Sequence, residues 1–305
     1  MIALDIGGTK IACGIVDGAT VSHYDAVPTP AREGAEALMD AAWALAERVQ
    51  EAHLAAGGAP ARRLAVASAG VIDPATGLVT SATDAIRSWA GTDVGGGLAA
   101  RSGLRVSVLN DVHAHALGEF THGRGQGRES MLLVAAGTGI GGGLIVNGEL
   151  LLGANRVAGH VGHVDVAAAD GLECSCGRRG HLEAVSSGTG IEQCFERATG
   201  VRLPGGEISR LAGVEESLSP AAREVLGVAG YSLGRAIGGL LNALDPGLVV
   251  LAGSVVRAGA EWFSRVRAGV MDSAMAIVAD TELELAQLDN AALVGAAVRA
   301  LREDD

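Results

Sequence analysis

The sequence predicts an α/β protein made of two similar halves, and three observations carry that expectation. Short apolar runs alternate with longer Ala/Leu-rich stretches, as strands alternate with helices in α/β proteins. One arrangement (strand, Gly/Thr-rich turn, strand, hairpin) occurs twice, near residues 2–27 and near 130–148, which suggests an internal duplication. A chain of 305 residues also suits about two domains.

The elements follow in order. Ile2–Ile6 and Ile11–Val16 are apolar runs around Gly7-Gly8, and Asp17-Gly18 is a hairpin signal before Val21–Val27. Residues 33–56 are Ala/Leu-rich with Glu33 and Glu36 in the first turn, a helix that Gly57-Gly58 ends. Leu64–Ala69 and Val106–Leu109 are short buried strands, with a helix near 93–101 between them and another over Asp111–His122. The second half opens with Ser130–Ala136, a glycine-rich turn, Leu144–Val146 and the Asn147-Gly148 hairpin. A loop-rich insertion at 153–187 precedes helices near 188–199 and 219–244, a strand over Leu248–Ala252, and a terminal helix over Ala291–Leu301.

Composition excludes several classes. With 49% hydrophobic and 19% charged residues the chain is not intrinsically disordered. A net charge of −12 argues against a nucleic-acid partner, which needs a basic footprint. No apolar run long enough for a membrane span and no signal peptide are evident, so a cytoplasmic location is expected. Four cysteines in a chain this long do not form a disulfide framework. Among 23 basic residues Lys10 is the sole lysine, and it falls inside a glycine-rich motif.

That motif is Asp5-Ile6-Gly7-Gly8-Thr9-Lys10, set between two strands. Glycines let the backbone approach an anion, turn amides form an anion nest, and Lys10 adds a point charge. Asp5, at a strand end, suits a Mg²⁺-bound water. Gly137-Thr138-Gly139-Ile140-Gly141-Gly142-Gly143 is the matching turn of the other half, and two such turns describe a nucleotide held by both halves. Neither is a Walker or dinucleotide motif, since no helix follows directly. Asn110-Asp111 closes an apolar strand, where Asp111 suits either a helix cap or a general base for an attacking hydroxyl. His163, Cys174, Cys176 and His181 form a His₂Cys₂ set in a glycine-rich loop, typical of a closed structural zinc site.

These motifs together (DIGGTK, the Asn110-Asp111 pair, GTGIGGG, the segment Ala158-Gly159-His160-Val161-Gly162-His163, and C-x-C-G-x-x-G-x-x-E) resemble the ROK sugar kinases, named for repressors, open reading frames and kinases. The resemblance spans nearly the whole chain and implies the actin-like, ribonuclease-H-like ATPase fold, with two α/β domains around a central cleft and a zinc-binding loop. Residues 1–120, completed by 288–305, would form one domain, and 121–287 the other. It implies ATP as phosphoryl donor, Mg²⁺, a structural Zn²⁺, a small-molecule sugar and a homodimer or homotetramer. Asp111 takes the catalytic position. Gly70, Asn110, Asp111, His160, His163 and Glu183 fall at sugar-binding positions, and Asp5, Gly7, Gly8, Thr9, Lys10, Gly137, Thr138, Gly139 and Gly253 at nucleotide and magnesium positions. His163 would serve both zinc and sugar, through opposite ring nitrogens.

Departures from the family pattern sharpen the reading. The fourth metal position is usually Cys, whereas here it is His181, still a zinc ligand. Family glucokinases carry Glu-x-Gly-His in the sugar loop. Here His160 replaces that Glu, as in a bacterial branch that resembles N-acetylmannosamine kinase. An imidazole N–H donates to an amide carbonyl where a carboxylate only accepts from hydroxyls. The expected reaction is therefore phosphorylation of the C6 hydroxyl of a hexose or N-acylhexosamine, N-acetylmannosamine first and glucose second, with polyphosphate as an alternative donor. A non-catalytic ROK-type sugar sensor is the distant alternative. His113, His115 and His122 read as helix-surface or packing residues, and Cys13 and Cys194 as small buried hydrophobes.

Overall fold

A computed structural model describes residues 1–303. The chain begins with β1 (Ile2–Ile6), β2 (Lys10–Asp17), β3 (Thr20–Pro28), α1 (Ala35–Ala55), β4 (Arg63–Ser68), β5 (Val71–Asp73) and β6 (Leu78–Ser81). It continues through α2 (Val94–Ser102), β7 (Arg105–Asn110), α3 (Asp111–His122), β8 (Met131–Ala136), β9 (Ile140–Val146) and β10 (Glu149–Leu151). After the loop-rich insertion come α4 (Glu183–Ser186), α5 (Gly188–Thr199), α6 (Gly205–Ala212) and α7 (Ser219–Leu244). The last elements are β11 (Val249–Ala252), α8 (Ala260–Ser273), β12 (Leu283–Leu285) and α9 (Ala291–Arg302). Among the described residues no helix is long and apolar enough to cross a membrane.

The two five-stranded sheets run β3-β2-β1-β4-β7 and β10-β9-β8-β11-β12, and β5 pairs with β6. The chain divides into two compact units. The first comprises Met1–Glu129, Gly143–Ala158 and the stretch beginning at Gln287; the second comprises Ser130–Gly142 and Gly159–Ala286. The first unit thus takes in residues 121–129 and 143–158 beyond the domain expected from sequence.

In the first unit β1, β4 and β7 are parallel and in register, so that Ile6, Ser68 and Asn110 end side by side. Alternation along β1 sends Ile2, Leu4 and Ile6 to one face, packed on α1 and α2. The other face is built of small residues, Ala3, Ala65 and Ala67, and carries α3 and α9. Small residues there allow a close helix crossing. A Cβ on Gly295 of α9 would stand 1.7 Å from the Ala114 carbonyl oxygen, and one on Gly118 of α3 2.2 Å from that of Ala291. The buried Glu119 carboxylate fastens the same pair, accepting from the amides of Arg124 (3.0 Å), Gln287 (2.8 Å) and Leu288 (2.7 Å). Three amide donors offset much of the cost of burying its charge.

In the second unit β8, β11 and β12 are parallel. Helices α7 and α8 cross through glycines, with a Cβ on Gly234 falling 1.9 Å from the Val266 carbonyl oxygen and one on Gly269 2.2 Å from that of Tyr231. Six elements, β5, β6, α4, α6, α8 and β12, are additions to those expected from sequence.

Since α3 carries Asp111 on its first turn, the α3–α9 crossing positions the site. Gly295→Ala should lower stability by about 1–3 kcal/mol, the usual cost of forcing a methyl into a packed contact. Chemical denaturation of the variant measures it, and a change within experimental error would show that the crossing is not tight.

Candidate active site and metal centre

In the first unit the site forms where the parallel strands end, the side of an open α/β sheet at which ligands bind. Three connections leave there together: Gly7-Gly8 after β1, Ala69-Gly70 after β4, and Asp111 after β7. Asn110 is the N-cap of α3, its Oδ1 accepting from the amides of Val112 (3.1 Å) and His113 (2.9 Å). Its Nδ2 donates to the Gly70 carbonyl (2.9 Å) and to Asp111 Oδ1 (2.9 Å). The cap is therefore Asn110, and Asp111, the first residue of the helix, is released from the capping role that its position also suited. Gly70 has φ +97°, and a Cβ there would stand 2.9 Å from Val79 and 3.0 Å from the Ser81 carbonyl oxygen. Trp89 is buried and donates its indole N–H to the Ala69 carbonyl at 3.0 Å, bracing this loop.

Electrostatics single out the two acids. Burial pushes the Asp5 carboxyl up to about 7, the neighbouring Asp111 adds to the rise, and Lys10 opposes it. Burial also raises Asp111, against hydrogen bonds from the Val112 amide and Asn110 that favour its ionised form. The Asp5 carboxylate has no hydrogen-bond donor among the described residues, so this pair is short of positive charge. That deficit suits a divalent cation reached through water, the chemistry expected of Mg²⁺. Lys10 Nζ is exposed and lies 3.3 Å from the Tyr24 hydroxyl. Thr9 is exposed on the same turn.

The second glycine turn lies in the second unit. The Gly137 amide donates to the Gly139 carbonyl (2.9 Å), and the Gly188 amide, at the start of α5, donates to the Gly137 carbonyl (2.7 Å). A cavity of about 250 Å³ adjoins it, lined among others by Thr138, Gly188, Thr189, Glu192, Ser254 and Val255. Gly253 (φ +90°) backs onto β8, where a Cβ would stand 2.2 Å from the Ala136 carbonyl oxygen. Gly7, Gly8, Gly137 and Gly139 are absent from the positive-φ positions, so left-handed conformation does not explain them. Space does. A Cβ on Gly139 would stand 2.6 Å from Glu183 Oε2, whereas one on Gly137 would meet nothing within 4 Å, leaving its surroundings open.

The four metal-site residues predicted from sequence meet in the second unit. The ligand atoms of His163, Cys174, Cys176 and His181 lie within 4.8 Å of one another. His163 Nδ1 is 3.5 Å from Cys174 Sγ, and His181 Nδ1 is 3.3 Å from Cys176 Sγ. Bonds of about 2.3 Å to sulfur and about 2.0 Å to nitrogen place tetrahedral S and N ligands roughly 3.5 Å apart, so the set fits zinc. Because His163 turns Nδ1 toward the thiols, Nε2 is the nitrogen available to a hydroxyl. The His160 ring is half-buried, its centroid 6.4 Å from that of His163. Glu183 accepts from the Ile140 amide at 2.8 Å through Oε2 and from the Ser175 hydroxyl through Oε1.

Sequence reasoning missed the cavity residues Thr189, Glu192 and Ser254; the small polar run at 186–190, at a helix start beside the glycine turn, was the available signal. Of the two readings open for His113, helix surface or packing, the structure has it buried, with Nε2 2.7 Å from the Ala158 carbonyl oxygen. Packing is therefore its role, as it is for His115, both held neutral by burial. Cys13 is buried as expected, whereas Cys194 is only half-buried. A larger cavity of about 480 Å³ contains Met1, Arg62 and Arg63 at the opposite strand ends and none of the predicted site residues.

The family model described as ROK family matches residues 1–303. A glucokinase of Halalkalibacterium halodurans is 31% identical over 95% of this chain and 91% of its own. An N-acetylmannosamine kinase of Salmonella paratyphi A is 34% identical over 62% of each chain. The crystal structure of a ROK family glucokinase from Streptomyces griseus, in complex with glucose and AMPPNP, superposes with a TM-score of 0.83 and 29% identity, covering 99% of each chain.

Elemental analysis should find about one zinc per chain in protein purified without chelator, and Cys176→Ser should lose most of it. An active, stable protein with far less than one zinc would exclude the site.

Proposed function

Because the chain belongs to the ROK family, and is thereby an ATP-dependent carbohydrate kinase, we propose that it phosphorylates the C6 hydroxyl of N-acetylmannosamine. The observation that carries the chemistry is Asp111: a buried carboxyl with raised proton affinity, fixed by Asn110 at the carboxyl end of a strand. A base of that kind accepts the hydroxyl proton as the alcohol oxygen attacks the γ-phosphorus and ADP leaves. Asn110 holds Asp111 and Gly70 in register. Asp5 would hold Mg²⁺ through water, and the ion when bound neutralises phosphate charge. Gly7, Gly8, Thr9 and Lys10 on one turn, and Gly137, Thr138 and Gly139 on the other, would bind the phosphates. The cavity beside Thr189 and Ser254 suits the nucleoside.

Gly70, Asn110, His160, His163 and Glu183 would contact the sugar. His163 would present Nε2 while zinc, when bound, fixes the ring from Nδ1. Glu183 already accepts two hydrogen bonds, and a carboxylate has lone pairs for further ones. For specificity the support is His160, a donor to the acetyl carbonyl where glucokinases of the family have an acceptor. The identity to N-acetylmannosamine kinase points the same way. A glucokinase reading has its own support, since similarity to glucokinases extends over nearly the whole chain.

Asp111→Asn should lower kcat by roughly 10²–10⁴, the range for a positioned base, with sugar binding retained. Near-normal turnover by the folded variant would remove Asp111 from the mechanism.

His160→Glu should shift the kcat/KM ratio of N-acetylmannosamine to glucose toward glucose by about ten- to a hundredfold, at about 1.4 kcal/mol per decade. Taking the ratio on one variant cancels general damage to the loop. A wild type that prefers glucose, or an unchanged ratio, would leave glucokinase as the better reading.

A further inference from the structure

Glu183 is the first residue of α4, directly after the metal loop. Its Oε2 accepts from the Ile140 amide at 2.8 Å, and its Oε1 accepts from the Ser175 hydroxyl and lies 3.6 Å from Cys174 Sγ. Ser175 stands between the two cysteines of the metal cluster in sequence. Ile140 follows the Gly137–Gly139 turn, and a Cβ on Gly139 would stand 2.6 Å from Glu183 Oε2. The turn is thus shaped around this carboxylate, and the carboxylate is held from its other side by the metal loop. The continuous connection runs from the cysteine knuckle through Ser175 and Glu183 to the Ile140 amide, all within the second unit.

We propose that Glu183 is a positioning residue for the Gly137–Gly139 turn, and that Ser175 makes its hold depend on the ordered metal loop, so that zinc occupancy sets nucleotide affinity. The physical reason is orientation. A carboxylate anchored at both oxygens holds the turn in one conformation, whereas one anchored only at the Ile140 amide swings with its side chain. Losing Ser175 or losing the metal has the same consequence, because each releases the same oxygen. This proposal rests on assigning the turn to the phosphates.

Calorimetric titration with Mg²⁺ and a non-hydrolysable ATP analogue, with zinc content measured in every sample, tests it. Ser175→Ala should retain zinc and bind the analogue about fivefold more weakly, and the ratio of KM for ATP to KM for sugar should rise by a similar factor. Stripping zinc from the wild type should weaken binding by that factor too, and stripping Ser175→Ala should weaken it no further. Glu183→Gln keeps an acceptor for Ile140 and a polar partner for Ser175, so it should stay within about twofold of wild type, whereas Glu183→Ala should not. Wild-type affinity in both Ser175→Ala and Glu183→Ala, or independent additive losses from the mutation and the chelator, would overturn the relay. A wild type that binds no nucleotide would overturn the functional reading instead.

Discussion

The first unit is organised around two buried acids that the fold gains nothing by burying. Asp5 and Asp111 lie among apolar strand ends; Lys10 opposes the raised proton affinity of Asp5, and hydrogen bonds from the Val112 amide and Asn110 oppose that of Asp111. The sign of the linkage follows. Asp5 binds its proton more tightly in the folded chain, so folding stability falls as pH rises from about 4 through about 7. The remainder of the unit offsets that penalty while keeping the acids fixed. Apolar strand residues pack on α1 and α2 on one face, and an alanine floor on the other lets α3 approach closely enough for glycine-to-carbonyl contact with α9. Helix α3 needs that tight seat because its first residue is Asp111.

The metal loop solves a different problem. Residues 153–187 contain short 3₁₀ turns and a four-residue helix, and their buried apolar residues are few, a small cluster of Ala169, Ala184 and Val185 beside the buried Val161 and Leu182. So small a core cannot hold a loop of this length by hydrophobic burial alone. Four side chains clustered closely enough to hold one ion would supply the constraint when it is bound. Glu183 emerges directly from that constrained segment and reaches the glycine turn.

Much of this was legible in the sequence because it rests on strong local signals. Helix α3 begins at Asp111 and ends at His122 as read, since an Asn-Asp pair closes the strand before it and a glycine follows His122, although the cap is Asn110 rather than Asp111. The cluster of His163, Cys174, Cys176 and His181 was legible from spacing, because Cys and His at such intervals have few other uses in a glycine-rich loop. What was not legible depends on partners distant in sequence. The sequence of α8 mixes Arg, Glu and Gly with apolar residues, so its short buried stripe of Trp262, Val266, Gly269 and Val270, which crosses α7 at glycines, does not stand out. Strands β5, β6 and β12 have only three or four residues each, too few for alternation to register. His113 looks like any polar helix residue until the Ala158 carbonyl, 45 positions away, meets it.

The glycines differ in role in ways that composition alone does not distinguish. Gly118, Gly234, Gly269 and Gly295 are demanded by helix crossings, and Gly139 and Gly253 by contacts with Glu183 and β8. Gly70 is demanded by a left-handed backbone. Gly137 fits none of these reasons: its φ is ordinary and a Cβ would meet no atom of the chain. Folding therefore does not require glycine there, as it does not at Gly206 or Gly239, where a Cβ would likewise meet nothing. A glycine-rich sequence conceals this distinction, because every glycine looks alike until its neighbours are known. What sets Gly137 apart is its place in the turn beside Gly139 and the cavity at Thr138, where open space leaves the backbone accessible to a ligand.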